Sequence, residues 1–265
     1  MTTAPVLDLR NLNVIYQTDN PVIAVKNVNL SIFPNETVGI VGESGCGKST
    51  LAFSILGYLH RLARCEGEIL FDGEDLSEKD RRELTKYRGS QLSMVYQNPY
   101  SSLNPSMKIG DQLAEVGIYH KNQNKRAALR DGLDMLEKLN IPDAALVMKR
   151  YPHQISGGMQ QRVCIGMALL CEPKLLVMDE PTTALDVTTE IVILDLIKEL
   201  KSSFETSIIY ITHDLRVVST IADRVVVMYK GEVVESGPKY ELFHQPRHPY
   251  TEALLECMPS RGITK

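Results

Sequence analysis

The chain has 265 residues, of which 43% are hydrophobic and 23% charged, and a formal net charge of −4. That length supports a sizeable core in one domain or two closely packed subdomains, and so mild an acidity gives no broad attraction to nucleic acid or anionic lipid. No apolar run reaches the roughly 18 residues a membrane span needs. Met1-Thr2-Thr3-Ala4-Pro5 lacks the charged and apolar regions of a secretion signal, so any work at a membrane is expected to go through a partner. Cys46, Cys65, Cys164, Cys171 and Cys257 form no C-x-x-C pair, which argues against a disulfide framework or zinc site and for a reducing cytosol.

In chain order, residues 6–32 alternate apolar and polar in two stretches, the second (Val28, Leu30, Ile32) more regular than the first, and predict an antiparallel β layer. Thr37–Val41 reads as a strand and Leu51–Leu56 as a helix, with a glycine-rich loop between them. Gly67–Gly73 reads as a short strand ending in a turn. Residues 109–148 place Leu129, Leu133, Leu136 and Leu139 at helical spacing and predict a mainly helical insert. Leu175–Met178 is a continuous apolar run, as a parallel strand covered on both faces requires. Ile191–Phe204 predicts an amphipathic helix, Ser207–Ile211 a strand, and Val225–Tyr229 the first arm of a hairpin turning at Lys230-Gly231. The expected class is α/β: a parallel-sheet core, an N-terminal antiparallel β layer and an inserted α-helical subdomain. The expected boundaries are 1–97 with 166–237 for a split core, 98–165 for the helical subdomain and 238–265 for a short tail. Pro249 and Pro259 suggest a short, kinked tail helix.

Gly42-Glu43-Ser44-Gly45-Cys46-Gly47-Lys48-Ser49-Thr50 fits G-x-x-x-x-G-K-[ST] between a strand and a helix. An ordinary glycine-rich turn has a similar composition, but those flanks are what a phosphate loop needs. Its glycines let backbone N–H groups converge on phosphate oxygens at a helix N-terminus. Lys48 would reach the β- and γ-phosphates of a nucleotide, and the Ser49 hydroxyl would ligate Mg²⁺. Asp179 and Glu180 close the apolar strand: one carboxylate suits the metal, the other suits an attacking water. A solvated strand end would look the same in isolation. Ser156-Gly157-Gly158 ahead of a helix forms a second anion-binding helix start.

At these residues the chain resembles the ATP-binding-cassette (ABC) ATPases. Their usual L-S-G-G-Q signature stands here as Ile155-Ser156-Gly157-Gly158-Met159, which keeps the serine and both glycines but loses the polar contacts of a glutamine. The resemblance matches Tyr16 to the aromatic that stacks on adenine, Gln97 to the glutamine that senses Mg²⁺ and the γ-phosphate, Pro181–Asp186 to the loop crossing the dimer interface and His213 to the histidine that contacts the γ-phosphate. It implies that the parallel-sheet core is of the P-loop (RecA-like) kind, and a head-to-tail dimer in which Ser156, Gly157 and Gly158 serve the partner's nucleotide. Residues 42–50, Asp179, Glu180, Gln97 and His213 serve the chain's own. Every catalytic position is present, so ATP hydrolysis is expected.

Residues 97–107 and the tail, Glu235-Ser236-Gly237 through His248-Pro249-Tyr250 to Leu255, resemble those of dipeptide, oligopeptide and nickel importers. The implied partners are a second ABC ATPase that is a different chain, two integral-membrane permease subunits and an extracytoplasmic solute-binding protein, with no nucleic acid. The implied location is peripheral, at the cytoplasmic face of the inner membrane. Residues 98–107 would lie near the groove that receives a permease coupling helix. Some relatives bind an iron–sulfur cluster through a cysteine-rich tail; with Cys257 as its one tail thiol, this chain is expected to bind none. A bulky adduct on Cys46 is expected to block nucleotide, although a cysteine there can equally replace serine without consequence. The alternative classes are a cassette of a soluble phosphonate-degrading complex, a non-transport ABC protein acting on ribosomes or DNA, and a drug or lipid exporter. The transported solute, whether peptide, nickel, glutathione or a metal chelate, is not written in the ATPase.

Overall fold

A computed structural model describes residues 4–257 apart from 184. Its elements run β1 (Leu7–Tyr16), β2 (Val22–Ile32), β3 (Thr37–Val41), α1 (Lys48–Ile55), β4 (Ala63–Phe71), β5 (Glu74–Asp75) and α2 (Arg81–Thr85). Then come β6 (Leu92–Val95), α3 (Pro99–Ser102), α4 (Ile109–Lys121), α5 (Lys125–Lys138), α6 (Ala144–Val147), α7 (Gly157–Leu169), β7 (Leu175–Asp179) and α8 (Val187–Phe204). The chain continues with β8 (Ser207–Ile211), α9 (Leu215–Ile221), β9 (Arg224–Tyr229), β10 (Glu232–Pro238), α10 (Lys239–His244) and α11 (Pro249–Glu256). Contacts group these into two compact units, Met1–Thr85 with Glu205–Lys265, and Lys86–Phe204.

In the first unit, β1 pairs antiparallel with β2 and β4 in a sheet of order β2-β1-β4-β5. Leu7, Leu9, Leu12 and Val14 of β1 are fully or nearly fully buried. The break in their spacing is a register shift between Leu9 and Leu12. There Asn11 and Asn27 adopt left-handed backbone, a conformation asparagine tolerates better than most residues. Each is tied by another asparagine: the Asn11 N–H donates to Asn29 Oδ1 and the Asn27 N–H to Asn13 Oδ1, both at 2.9 Å. This is why the first apolar stretch alternates poorly in sequence.

β3 pairs parallel with both β8 and β9, and β10 returns antiparallel on β9. All five residues of β3 are buried. The helix α9 lies directly on this strand because Gly39 presents no side chain: a Cβ there would stand 2.6 Å from Val218 Cγ1. Val218 belongs to a cluster of Val41, Leu215, Val225, Val227, Leu242 and Phe243, against which Leu254 and Leu255 of α11 pack. Arg224 adds a polar tie at the base of this layer, its guanidinium fork donating to the Glu36 carboxylate at 2.6 and 3.1 Å.

In the second unit, β6 and β7 pair parallel in the register Leu92↔Leu175 to Val95↔Met178. The helix α7 packs on β6, and α4 and α5 pack on α7. The helix α7 approaches the end of α5 closely at Gly166, where a Cβ would stand 2.5 Å from Leu139 Cδ1. Contacts thus gather β6, β7 and α8 with the helical segment, whereas the motif-based reading assigned residues 86–97 and 166–204 to the nucleotide core. Residues 238–257, read as a separate tail, cluster with the first unit.

Two element starts also differ from expectation. The helix α8 begins four residues before Ile191, because Asp186 receives the Thr189 N–H at 3.0 Å and caps it. Pro249 does not kink a helix: it stands in the first turn of α11, where its missing N–H costs nothing, and His248 caps it from the Tyr250 N–H. Pro259 lies outside the described residues. No helix among the described residues is long and apolar enough to cross a membrane.

Gly39→Ala is expected to lower the free energy of unfolding by about 1–3 kcal/mol through overpacking. Val218→Ala in the same chain should recover part of the loss in urea denaturation, and a doubly additive loss would refute the contact.

Candidate functional site

The phosphate loop of the first unit leaves β3 at Val41 and enters α1 at Lys48. Its backbone is confined by neighbouring carbonyls. At Gly42 a Cβ would stand 2.2 Å from the Met228 oxygen, and at Gly47 2.2 Å from the Ala24 oxygen, with Gly47 at φ +106°. Both distances exclude every side chain, so glycine is required at each place. Lys48 is buried, 5% exposed, and its ammonium donates to the Gly42 oxygen at 2.7 Å and the Glu43 oxygen at 2.9 Å. Burying an ammonium is costly unless its donors are bonded, and here the loop's own carbonyls accept from two of them. Cys46 is also buried, with Sγ 3.8 Å from Lys48 Nζ, so the thiol that the sequence placed in the loop faces inward. Ser49 is exposed at the start of α1. Glu43, Ser44 and Gly45 form the exposed crest of the loop, while Thr50 is half-buried.

Two more of the expected residues lie in this unit. Tyr16 ends β1, half-buried, opposite Val22 and Ala63. His213 is exposed just beyond β8, beside Asp214, which caps α9 from the Arg216 N–H at 2.8 Å. Burial opposes ionisation of Asp214, but the Arg216 contacts prevail and hold its carboxyl below the usual range.

In the second unit, β7 ends in buried Asp179, and Glu180 follows at φ +47°. A glutamate in left-handed backbone is strained, and the turn aims its carboxylate at two donors. Gln97 Nε2 and Thr183 Oγ1 each donate to Glu180 Oε2 at 3.1 Å. The sequence singled out Gln97 and Glu180 without indicating that they touch. It did not single out Thr183, and a hydroxyl three residues beyond a strand-end carboxylate was the available signal.

Ser156 caps α7, accepting the Met159 N–H at 3.3 Å, and Gly157 opens the helix. A Cβ on Gly158 would come within 2.7 Å of Thr189 Cγ2. Ser156, Gly157, Gly158, Met159, Tyr100 and Asp186 line an open cavity of about 570 Å³. Asp186 stays ionised well below the usual carboxylate range, first through the Thr188 hydroxyl and then through the Thr189 N–H and hydroxyl. Nearby Cys164 is pushed up to about 12 by burial and is an inert thiol.

The 98–107 segment is firmer than a proline-punctuated loop. Asn98 caps the short α3 from the Tyr100 N–H at 3.0 Å. Gln112, 4% exposed, accepts the Asn104 N–H at 2.9 Å and donates to the Asn104 and Met107 oxygens at 3.0 Å. Sequence reasoning missed this glutamine, because polarity at a helical core position is visible only once its partners are. Tyr96, Tyr100 and Tyr119 of the same unit are exposed.

A family model described as "ABC transporter" matches residues 25–183. The chain belongs to the ABC transporter family. A second model, "Oligopeptide/dipeptide transporter, C-terminal region", matches residues 234–265. The oligopeptide transport ATP-binding protein OppD of Haemophilus influenzae is 48% identical over 96% of this chain and 79% of its own length. The dipeptide transport ATP-binding protein DppD of Bacillus subtilis is 47% identical over 96% of this chain and 77% of its own. A solved structure of the cassette MJ0796, a dimer in a post-hydrolysis state bound to ADP and Pi, superposes with a TM-score of 0.79 at 30% identity, over 88% of this chain and 98% of that one. The cassette described above is thus an ABC-type ATPase with the expected α/β class.

Ser156→Ala removes the cap of α7 and is expected to cost about 1 kcal/mol. Chemical denaturation checks this, and Ser156→Thr should retain most of the stability.

Proposed function

We propose that this cassette is the ATP-hydrolysing subunit of a membrane importer for peptides, nickel or related small solutes. The observation that carries this reading is the match of residues 234–265 to the oligopeptide and dipeptide transporter C-terminal region, on a chain that also bears the complete series of cassette motifs. The partners proposed are a second, different ABC ATPase, two integral-membrane permease subunits and an extracytoplasmic solute-binding protein. The cassette would sit peripherally at the cytoplasmic face of the inner membrane.

The donor sets fit ATP and its metal. The loop combines glycine-only backbone with a buried ammonium, which suits phosphate oxygens. The Ser49 hydroxyl, Gln97 amide oxygen and Asp179 carboxylate are hard oxygen ligands, which suit Mg²⁺. When bound, Mg²⁺ would draw charge from the transferring phosphoryl group. Lys48 neutralises the β- and γ-phosphates, and Tyr16 stacks on adenine. Glu180 orients and polarises the attacking water, and His213 contacts the γ-phosphate. Gln97, already bonded to Glu180, links the state of that carboxylate to the 98–107 segment that follows it. Ser156, Gly157 and Gly158 contact the nucleotide held by the partner cassette. ATP binding closes the head-to-tail dimer, and hydrolysis resets it.

Glu180→Gln is expected to keep ATP binding and to lower turnover at least about 100-fold, because the geometry survives while the water loses its base. Captured from detergent-solubilised membranes with Mg-ATP, this variant should bring two multi-span membrane proteins and a second ATPase. Ribosomal proteins, DNA-associated proteins or soluble enzymes without membrane subunits would overturn the transport reading. Thr183→Val removes one of the two donors to Glu180 Oε2, and a loss of about 3- to 10-fold in kcat with KM unchanged is expected. Steady-state ATPase kinetics decide it, and an unaltered kcat would exclude a positioning role for that hydroxyl.

A further inference from the structure

The phosphate loop is held from outside by the C-terminal part of the chain. The Glu43 N–H donates to Tyr250 Oη at 3.1 Å. The Gly231 N–H, at the β9–β10 turn, donates to the Cys46 oxygen at 3.0 Å. The Tyr250 ring lies against Tyr229 of β9, with centroids 4.2 Å apart and planes tilted by 35°. Tyr250, Gly231 and Tyr229 all lie outside the loop motif.

We propose that Tyr250 is a positioning residue of the nucleotide site, fixing the Gly42–Glu43 peptide that cages Lys48 and so making the C-terminal helix a determinant of ATP affinity. This rests on the reading of residues 42–50 as the ATP-binding loop. The Gly42 carbonyl and the Glu43 N–H lie in one trans peptide plane and point in opposite directions within it. Lys48 Nζ grips the carbonyl end at 2.7 Å, and Tyr250 grips the amide end. Rotation of the plane would therefore break both bonds together. Gly42 offers little resistance of its own, since a residue without Cβ has wide rotational freedom. The amide end needs an external anchor, and Tyr250 is that anchor.

The anchor is itself firmly seated. Glu235 of β10 accepts the Arg247 N–H at 2.9 Å and the His248 N–H at 3.1 Å, which fixes the entry to α11. One turn after Tyr250, Leu254 and Leu255 pack on the cluster that contains Val41, the residue immediately before the loop. Burial pushes the Tyr250 hydroxyl above its ordinary range, so it remains a neutral acceptor across the working range of pH.

The test uses the full-length chain with Tyr250→Phe, which keeps the ring against Tyr229 and removes only the oxygen. Calorimetric titration with Mg-ATP should give a Kd about 3- to 10-fold higher than wild type, the worth of one hydrogen bond. The melting temperature without nucleotide should be unchanged, while the rise produced by Mg-ATP shrinks. Tyr240→Phe, which removes an exposed hydroxyl from α10, should match wild type in both measurements. Equal Kd values for wild type and Tyr250→Phe would overturn the proposal. So would a Tyr250→Phe chain that melts earlier without nucleotide yet binds Mg-ATP normally, because that marks a purely structural tyrosine. A wild-type chain that binds no Mg-ATP would instead sink the ATP reading, and this inference with it.

Discussion

The architecture around the phosphate loop depends on two backbone carbonyls standing where side chains would otherwise be. The Met228 and Ala24 oxygens approach Gly42 and Gly47 so closely that neither position admits a Cβ. That closeness is what folds the loop tightly enough for Lys48 to turn back and bond the carbonyls at 42 and 43. A buried ammonium is costly unless its donors are matched, so the lysine and the loop stabilise one another's geometry. The strands that bring those carbonyls in, β2 and β9, serve in this sense as walls of the loop as much as members of sheets.

The second unit solves a different problem by a comparable device. A carboxylate at a strand end would normally extend into solvent along the strand direction. The left-handed backbone at Glu180 redirects it, and the Gln97 amide and Thr183 hydroxyl then hold a single oxygen. Gln97 lies just past β6 and Glu180 just past β7, neighbours in a parallel pair. Parallel pairing places both at the same end of the strands, where α/β proteins gather their chemistry.

Much of this was legible in the chain because glycine, proline and charged residues punctuate it in fixed relation to apolar runs. The strand–loop–helix around Lys48, the buried run before Asp179 and the cap at Ser156 all carry local signals, and the structure has them where the residues put them. The asparagine bulges of β1 were not legible, since a register shift is a property of two strands. Gln112 and Tyr250 were likewise silent in this respect, because each acts through backbone groups that no side-chain pattern reports, and Thr183 carried only the weak signal of a hydroxyl three residues past Glu180. The expected boundaries follow motifs and the two units follow contacts, which gather β6 and β7 with the helices that adjoin them in the chain. Membership of a chemical site and membership of a packing unit are separate properties.

The backbone at Glu180 bears on how this position tolerates change. Left-handed geometry costs a residue with a Cβ on the order of 1 kcal/mol relative to glycine. Glycine would relieve the backbone there while removing the carboxylate that Gln97 and Thr183 hold. Relief and loss fall on the same residue, so the stability of a Glu180→Gly chain would report their sum and not the strain by itself.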